Sequence, residues 1–519
     1  MEDYNSDSDI DDQDLDEFQD AEDISSNVSM YHSMGHSVFL FLEAILTFER
    51  QSIVNASRAL KQSLIICNKF RKKNTIGESL GKMVKKTNFE QYTEEEAHAE
   101  LCHAECLLLK SMLTFMEDET LASFIKAGIK IRSCYNSYKN CQQILLKKKW
   151  SKDESKVHFE SGVRMGIGTF NLMISMLPSR VIKLLEFIGF SGNKQKGLED
   201  LHKGFEMNGL RQILCIMTLL GYNLIVLHVL SHKEGDVKIC EEILQKQLKK
   251  HPDGVWFLFF QGRLDFMKGN LDSSIQWYTK SWKSQNLWPH LKTEWKEALV
   301  YSSQLIAHSK WSRSLYSYQK AVIMCMIKDE LSQSDKQLMD DLMRDVPKYK
   351  QRIAGKSLPM EKFVGRTLVL PVIELMFVWN LFKILKHYNV ASKIYRLIEK
   401  ALLNINSTVK PSKYDKDNKA LVLLLKGACL RHMGSPLQAL ECLKTVISMQ
   451  KEIIEDTYLV PYAIVELALI EWQNGHKEKA ILALEDAKKN YTGYSLESRL
   501  HFRIHTALSD YKAEMKNPN

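Results

Sequence analysis

The sequence predicts an all-α protein, and three observations carry that prediction. Ten prolines and 23 glycines are spread over 519 residues, so long uninterrupted helices fit the text better than a turn-rich sheet. From Val38 onward apolar residues recur at helical spacing, and no two alternating runs make a convincing hairpin. In the C-terminal half, small residues return at separations of 7, 5 and 7, a spacing suited to paired helices.

Taken in order, the chain opens on an acidic stretch. Residues 1–24 hold 12 Asp or Glu and no Lys or Arg. With few large apolar side chains, residues 1–30 cannot bury enough surface to offset chain entropy, and the sequence predicts a disordered tail. That charge is the opposite of a secretory leader's basic start. Together with ten irregularly spaced cysteines, it points to reduced thiols and a cytoplasmic setting. The rest of the chain carries 71 basic against 51 acidic residues. Its short lysine runs, such as Lys147 to Lys149, lack interleaved aromatics and read as solvated helix faces, so no nucleic-acid partner is expected.

Residues 31–250 read as a helical N-terminal domain. Val38 to Glu49 is a dense apolar run, followed by a break near Ser52 and a second helix over Asn55–Ile66. Thr93 is placed to cap the next helix, with Glu96 closing a capping box. Further helices are expected over 119–150, 153–176, 179–188, 195–207, 210–230 and 236–250. Ile213 to Leu230 has no formal charge over 18 residues, the lower edge of a membrane span. Because it includes Thr218, Asn223 and His228, it reads as a buried core helix rather than a transmembrane segment.

Residues 251–519 read as a repeat array with degenerate middle copies. The 7-5-7 series runs through Gly262, Gly269, Ser274 and Ser281; then Ser302, Ser309, Ser314 and Ala321; then Gly427, Gly434, Ala439 and Val446; then Ala468, Gly475, Ala480 and Ala487. The first small residue lets a second helix cross close by. The next takes the turn, where left-handed backbone is cheapest for glycine. The third sits at the crossing, and a large residue (Tyr278, Tyr318, Leu443 or Leu484) fills the gap towards the next copy. Phe377–Ala401 looks like a degenerate copy, with Trp379 where a small residue belongs. The pattern resembles the tetratricopeptide repeat, which implies a superhelix continuous with the N-terminal domain.

Two further segments carry a more specific likeness. Gly162–Arg180 with Leu184–Gly192, and Pro371–Asn380 later, resemble the tetratricopeptide repeat protein 39 family, which is similar to the fungal inclusion-body-clearance proteins. The likeness runs over roughly residues 35–515, with the acidic tail outside it. It implies non-enzymatic proteins connected with lipid homeostasis, protein turnover and cilia, and it supplies no catalytic or binding residues.

The residues themselves offer little catalytic chemistry. Gly162, Gly166 and Gly168 match neither a P-loop nor the dinucleotide fingerprint, and glycines four apart on a helix serve close helix packing. Gly189 to Asn193 lacks the final glycine of a nucleophile elbow. His98, Cys102 and Cys106 share a helix face without the loop geometry of a zinc site, and His228 with His232 reads as one core and one surface histidine. No cofactor or metal is expected, and an enzyme is disfavoured.

A repeat array binds partners along the groove lined by its first helices. Trp256, Phe259, Arg263, Phe266, Arg431, Tyr462 and Trp472 are the candidate lining residues. They are apolar or aromatic with two arginines, and the Lys–Asn pair of an acidic-tail clamp is missing. The groove is either filled by the chain's own helices or open to an amphipathic or extended peptide. The sequence therefore predicts a cytoplasmic protein-binding adaptor or scaffold. The alternative is a membrane-peripheral or lipid-handling factor that uses the apolar central helices and the basic surface.

Overall fold

The computed structural model describes residues 29–47, 50–72, 88–117, 121–176, 192–285, 295–308, 313–326, 331–349, 352–353, 356–357, 370–386, 388–407, 413–494 and 496–516. The acidic segment before Ser29, the predicted helix 179–188, Ser191 and the turn at Ser309 lie outside these residues. The described residues are almost entirely helical, as the sequence predicts; two strands of two residues each, Arg352–Ile353 and Lys356–Ser357, depart from that. Contacts divide the chain into two compact units.

The first unit comprises residues up to Ser175 with Leu185–Ile216 and Ile353–Gly355. Helices α1 (Met30–Thr47) and α2 (Arg50–Phe70) come first, so the expected break falls a few residues before Ser52. Ser63 ties them together, with its Oγ 2.6 Å from that of Ser33 and 2.8 Å from that of Ser37. Helix α3 (Glu94–Glu117) opens on the predicted capping box: the Thr93 N–H donates to Glu96 at 2.9 Å, and the Glu96 N–H to the Thr93 hydroxyl at 3.1 Å. Then follow α4 (Leu121–Lys147), α5 (Asp153–Ser175) and α6 (Lys194–Glu206).

The glycines of α5 permit the close packing their spacing predicts. A Cβ built on Gly162 would lie 2.6 Å from Leu101, and one on Gly166 only 1.9 Å from the Tyr138 ring. A Cβ built on Gly168 would lie 3.0 Å from the Gly197 carbonyl oxygen, and one on Gly197 2.8 Å from that of Gly168, so α5 and α6 meet where neither carries a side chain.

Helix α7 (Gln212–Leu230) contains the division between the units, after Ile216. It was expected to be buried, but Ile213, Leu214 and Ile225 are exposed. Within it, Gly221–Val226 winds as a π-helix.

The second unit comprises Met176–Leu184, Met217–Arg352 and Lys356–Asn519, and so takes in residues 217–250, which the sequence groups with the N-terminal half. It holds α8 (Val237–Lys250), α9 (Val255–Lys268), α10 (Leu271–Gln285), α11 (Trp295–His308), α12 (Arg313–Met326), α13 (Gln333–Asp345), α14 (Pro371–Val378), α15 (Tyr388–Ser407), α16 (Asp415–His432), α17 (Pro436–Ser448), α18 (Leu459–Gln473), α19 (Lys477–Asn490) and α20 (Glu497–Lys516). The pairs α9/α10, α16/α17 and α18/α19 turn at Gly269, Gly434 and Gly475, whose φ values are 80°, 77° and 83°. These are the predicted left-handed turns.

The crossing residues also behave as their size requires. Ser274 donates to the Gly262 carbonyl at 2.7 Å, and Ser281 to that of Val255 at 3.0 Å. The large residues depart from their expected role: Tyr278 lies over Gly262 and Leu443 over Gly427, 3.0 and 2.9 Å from a built Cβ. Each closes its own pair rather than the gap to the next. The degenerate copy at Phe377 is no regular first helix. α14 stops at Val378, Asn380 takes φ 60°, and a 3₁₀ turn runs over Leu381–Lys386.

Candidate functional site

The inward faces of α16, α18 and α20 meet around one buried carboxylate. Glu466 is 1% exposed. It accepts from Arg431 Nε at 2.7 Å and pairs with Arg503 Nη1 at 2.8 Å. Burial alone would raise its pKa, but Arg431 and Arg503 outweigh that and hold it at about 2. His432 lies against Arg431 at 2.8 Å. Burial and that guanidinium drive the His432 pKa well below its ordinary value. At the α17–α18 connection, buried Asp417 accepts the backbone N–H groups of Ile454, Glu455 and Asp456 at 2.8 to 3.0 Å.

Against this interior lies the end of α7. The Lys383 ammonium donates to the carbonyls of Leu227, His228, Ser231 and Lys233 at 2.9 to 3.2 Å. Asn380 Nδ2 reaches the His228 and Ser231 carbonyls, both at 2.9 Å. Leu227 also accepts the Ser231 N–H, while the end of the helix gains Lys383 and Asn380 as donors to its last carbonyls; burial pulls the Lys383 pKa down to about 7. The left-handed backbone at Asn380 follows from this position, which the 3₁₀ turn presents to α7. Of His228 and His232, expected to be one core and one surface histidine, both side chains are covered. His232 packs edge-on to Tyr511 with centroids 5.3 Å apart and sits 3.6 Å from Asp510.

The candidate groove residues fall into two groups. Arg263 donates from Nε to the Leu224 carbonyl at 3.0 Å, inside the π-helical segment, and its guanidinium lies over the Phe266 ring. Phe266 packs on the core of the repeats and edge-on to His228. Tyr462 is buried at 3% exposure, Arg431 is committed to Glu466, and Trp472 is stacked on Tyr511. Covered by the chain itself, these five hold structure together. Trp256 differs: it is 48% exposed, with Phe259 edge-on behind it at 6.3 Å and Tyr278 behind that. Asn380, Lys383 and Arg503, which sequence reasoning missed, do much of the holding. Their partners lie up to 156 residues away and in no fixed register, so spacing gave no signal.

For His98, Cys102 and Cys106, the structure shows two buried thiols and a histidine facing Ser155, 3.2 Å from both its carbonyl and its hydroxyl oxygen. Arg211 Nη2 lies 3.8 Å from the Cys102 sulfur. Among the described residues no group of three or more His, Cys, Asp or Glu is placed to hold a metal ion.

Comparison with known proteins follows the same lines. The family model for Iml2/Tetratricopeptide repeat protein 39 matches residues 12–433. The match starts inside the acidic segment, which the sequence reading had left outside. Tetratricopeptide repeat protein ttc-39B of Caenorhabditis elegans is 36% identical over 507 residues, covering 92% of this chain and 86% of that protein. Among solved structures, the yeast Tom70 aligns at 13% identity and a TM-score of 0.27, covering 97% of this chain and 93% of that one. The APC/C hetero-tetramer Cut9-Hcn1 aligns at 10% identity and 0.21, covering 96% and 94%. At such scores neither likeness adds to the fold.

Proposed function

The chain belongs to the Iml2/tetratricopeptide repeat protein 39 family, and from that premise we propose that it is a non-catalytic, cytoplasmic adaptor that holds other proteins on its repeats. Lipid homeostasis or protein turnover is the proposed setting, with no nucleic acid among the partners. The observation that carries the reading is Trp256, an exposed indole at the start of the first repeat, backed by Phe259 and Tyr278. Aromatic side chains on a rigid backing are the usual anchors of a protein interface. Arg263 and Phe266 are engaged by α7, Arg431 by Glu466 and Trp472 by Tyr511, which supports taking Trp256 in the first copy as the open anchor. The test is quantitative affinity purification from cytosol with the parent, Trp256→Ala and Lys479→Ala. A partner set lost with Trp256→Ala and kept with Lys479→Ala supports the reading; identical sets from all three overturn it.

A second reading rests on α7. It is long and apolar enough to cross a bilayer, and less than half of it is buried. That favours a membrane-peripheral or lipid-handling factor. Flotation with anionic and neutral liposomes separates the two, because an adaptor stays at the bottom of the gradient with both.

A further inference from the structure

In the first unit, lysines from two distant stretches of the chain converge on one aromatic shelf. The Lys72 ammonium lies 4.8 Å from the centre of the Tyr92 ring, and that of Lys147 lies 5.5 Å from the centre of Phe89. The two rings stack with centroids 6.1 Å apart. Lys148 donates to the Tyr92 carbonyl at 2.7 Å, and its ammonium lies 5.3 Å from the centre of the Trp150 ring. The lysine run read from the sequence as a solvated face without aromatics therefore sits against Phe89, Tyr92 and Trp150. Lys147 and Lys149 are exposed, and Lys72 and Lys148 are half-buried. Nearby carboxylates do little to neutralise them. Glu100 is taken by Arg71 at 2.6 Å. Glu94 and Glu96 accept backbone N–H groups at the start of α3, where the helix dipole offsets negative charge. Exposed Glu90, beside Phe89, offsets part of the remaining charge, and the shelf stays basic.

The acidic segment enters the fold beside this shelf. Met30, at the start of α1, packs with Ile66, Cys67 and Ala99, and Phe70 lies against the same cluster. Phe70 ends α2 and is followed directly by Arg71 and Lys72. Residues 1–24 hold 12 Asp or Glu and no Lys or Arg. The chain from Asp23 to Ser29 spans up to about 20 Å when extended, enough to bring those carboxylates back over the end of α2. Tyr4 and Phe18 stand among them, and such rings suit a surface of ammonium groups. A tether this short also gives the segment an effective concentration on the order of millimolar at the shelf. An anionic partner in solution has to compete with that.

We propose that the chain's own acidic segment, residues 1–24, docks on the shelf formed by Lys72, Phe89, Tyr92, Lys147 and Trp150. The test is acetylation of the full chain with a limiting N-hydroxysuccinimide ester, read lysine by lysine by peptide mass spectrometry. The parent is compared with a variant neutralised in the segment by Asp11→Asn, Asp12→Asn, Asp14→Asn, Asp16→Asn and Glu17→Gln. Lys72 and Lys147 should react at least threefold faster in the variant. Lys61 and Lys156, exposed elsewhere in the same unit, should react equally in both. High salt should bring the parent up to the variant, because exposed charges are screened. Carbodiimide cross-linking of the parent monomer needs no variant. It should join carboxylates of residues 1–24 to Lys72 or Lys147 in preference to Lys61 or Lys156. Phosphatidylserine vesicles and single-stranded RNA are the rival occupants, and neither should slow acetylation of Lys72 and Lys147 in the parent. Equal rates in parent and variant, cross-links spread evenly over the lysines, or protection of the pair in the parent by either rival would overturn the assignment.

Discussion

The indole of Trp472 lies flat on the ring of Tyr511, with centroids 3.7 Å apart and planes within 1° of parallel. The contact joins α18 to α20 and encloses a side chain that repeat geometry alone would leave facing a groove. Nearby, Arg503 of α20 and Arg431 of α16 grip the single carboxylate of Glu466 on α18. Trp472→Ala should therefore destabilise the protein by about 2–4 kcal/mol. Trp256→Ala, at an exposed position, should cost less than about 1 kcal/mol. Urea unfolding of the two variants beside the parent checks the contrast, and equal midpoints would place Trp472 at a free surface.

Ala480→Trp should damage the last helix pair. Ala480 is fully buried five residues past the left-handed turn at Gly475, and an indole there must push α18 and α19 apart. Overpacking of this kind typically costs about 1–3 kcal/mol, and shared interfaces carry the damage into the adjoining repeat. Lys479→Ala, one residue away and exposed, should be nearly neutral. Thermal melting reads both, and an unchanged melting temperature for Ala480→Trp would put the helix crossing elsewhere.

In the first unit, Gly166→Ala should be the most damaging methyl group that can be added to α5. The new Cβ would overlap the ring of Tyr138, itself fully buried, so helix and ring must both move. A loss of about 2–3 kcal/mol is expected, although alanine has the better helix propensity by about 1 kcal/mol. Circular dichroism during denaturant titration measures it; a stabilised variant would mean that propensity decides at this position.

Acid should loosen the repeat unit late. The Glu466 pKa is held at about 2, below its ordinary 4.5. A carboxylate depressed on folding contributes stability that is complete above the unfolded pKa and is lost as pH falls through the folded one. The Glu466 contribution should thus disappear between about pH 4.5 and pH 2. Glu466→Gln should remove it at every pH and cost about 3–5 kcal/mol at pH 7, because Arg431 and Arg503 stay buried without their counter-ion. Stability measured against pH should show a parent-minus-variant gap that narrows only in that acidic window.

Cys102, Cys215, Cys240 and Cys429 are buried, and burial pushes their thiols up to about 12. Thiolate is the reactive form. Iodoacetamide at pH 8 should therefore modify these four at least a hundredfold more slowly in the native protein than in urea, read by peptide mass spectrometry. Rapid native labelling of Cys102 would mean that α3 opens.

Local rules were legible in the sequence wherever a side chain answers to its own neighbours. The Thr93–Glu96 box spans four residues, and the left-handed turns at Gly269, Gly434 and Gly475 follow from glycine at a fixed distance from small crossing residues. The packing of Gly162 and Gly168 could be read the same way. For the candidate groove, the register gave no sign of what covers its residues. Arg263 satisfies a carbonyl of a π-helical turn, and Lys383 reaches carbonyls at and just past a helix end about 150 residues earlier. Neither is a spacing rule, because each answers to backbone groups that only tertiary folding exposes.

The π-helical segment Gly221–Val226 amounts to one residue more than an α-helix needs for the same rise. Each residue of an α-helix rotates the chain by about 100°, so that surplus residue sets where the carbonyls just after it point. Removing any one of the six would let the segment relax into a regular helix and swing the carbonyls of Leu227 and His228 away from Lys383 and Asn380. The segment thus tolerates changes of letter far better than a change of length. A one-residue deletion there reads as a frameshift in three dimensions, leaving the sequence after it intact and its orientation wrong.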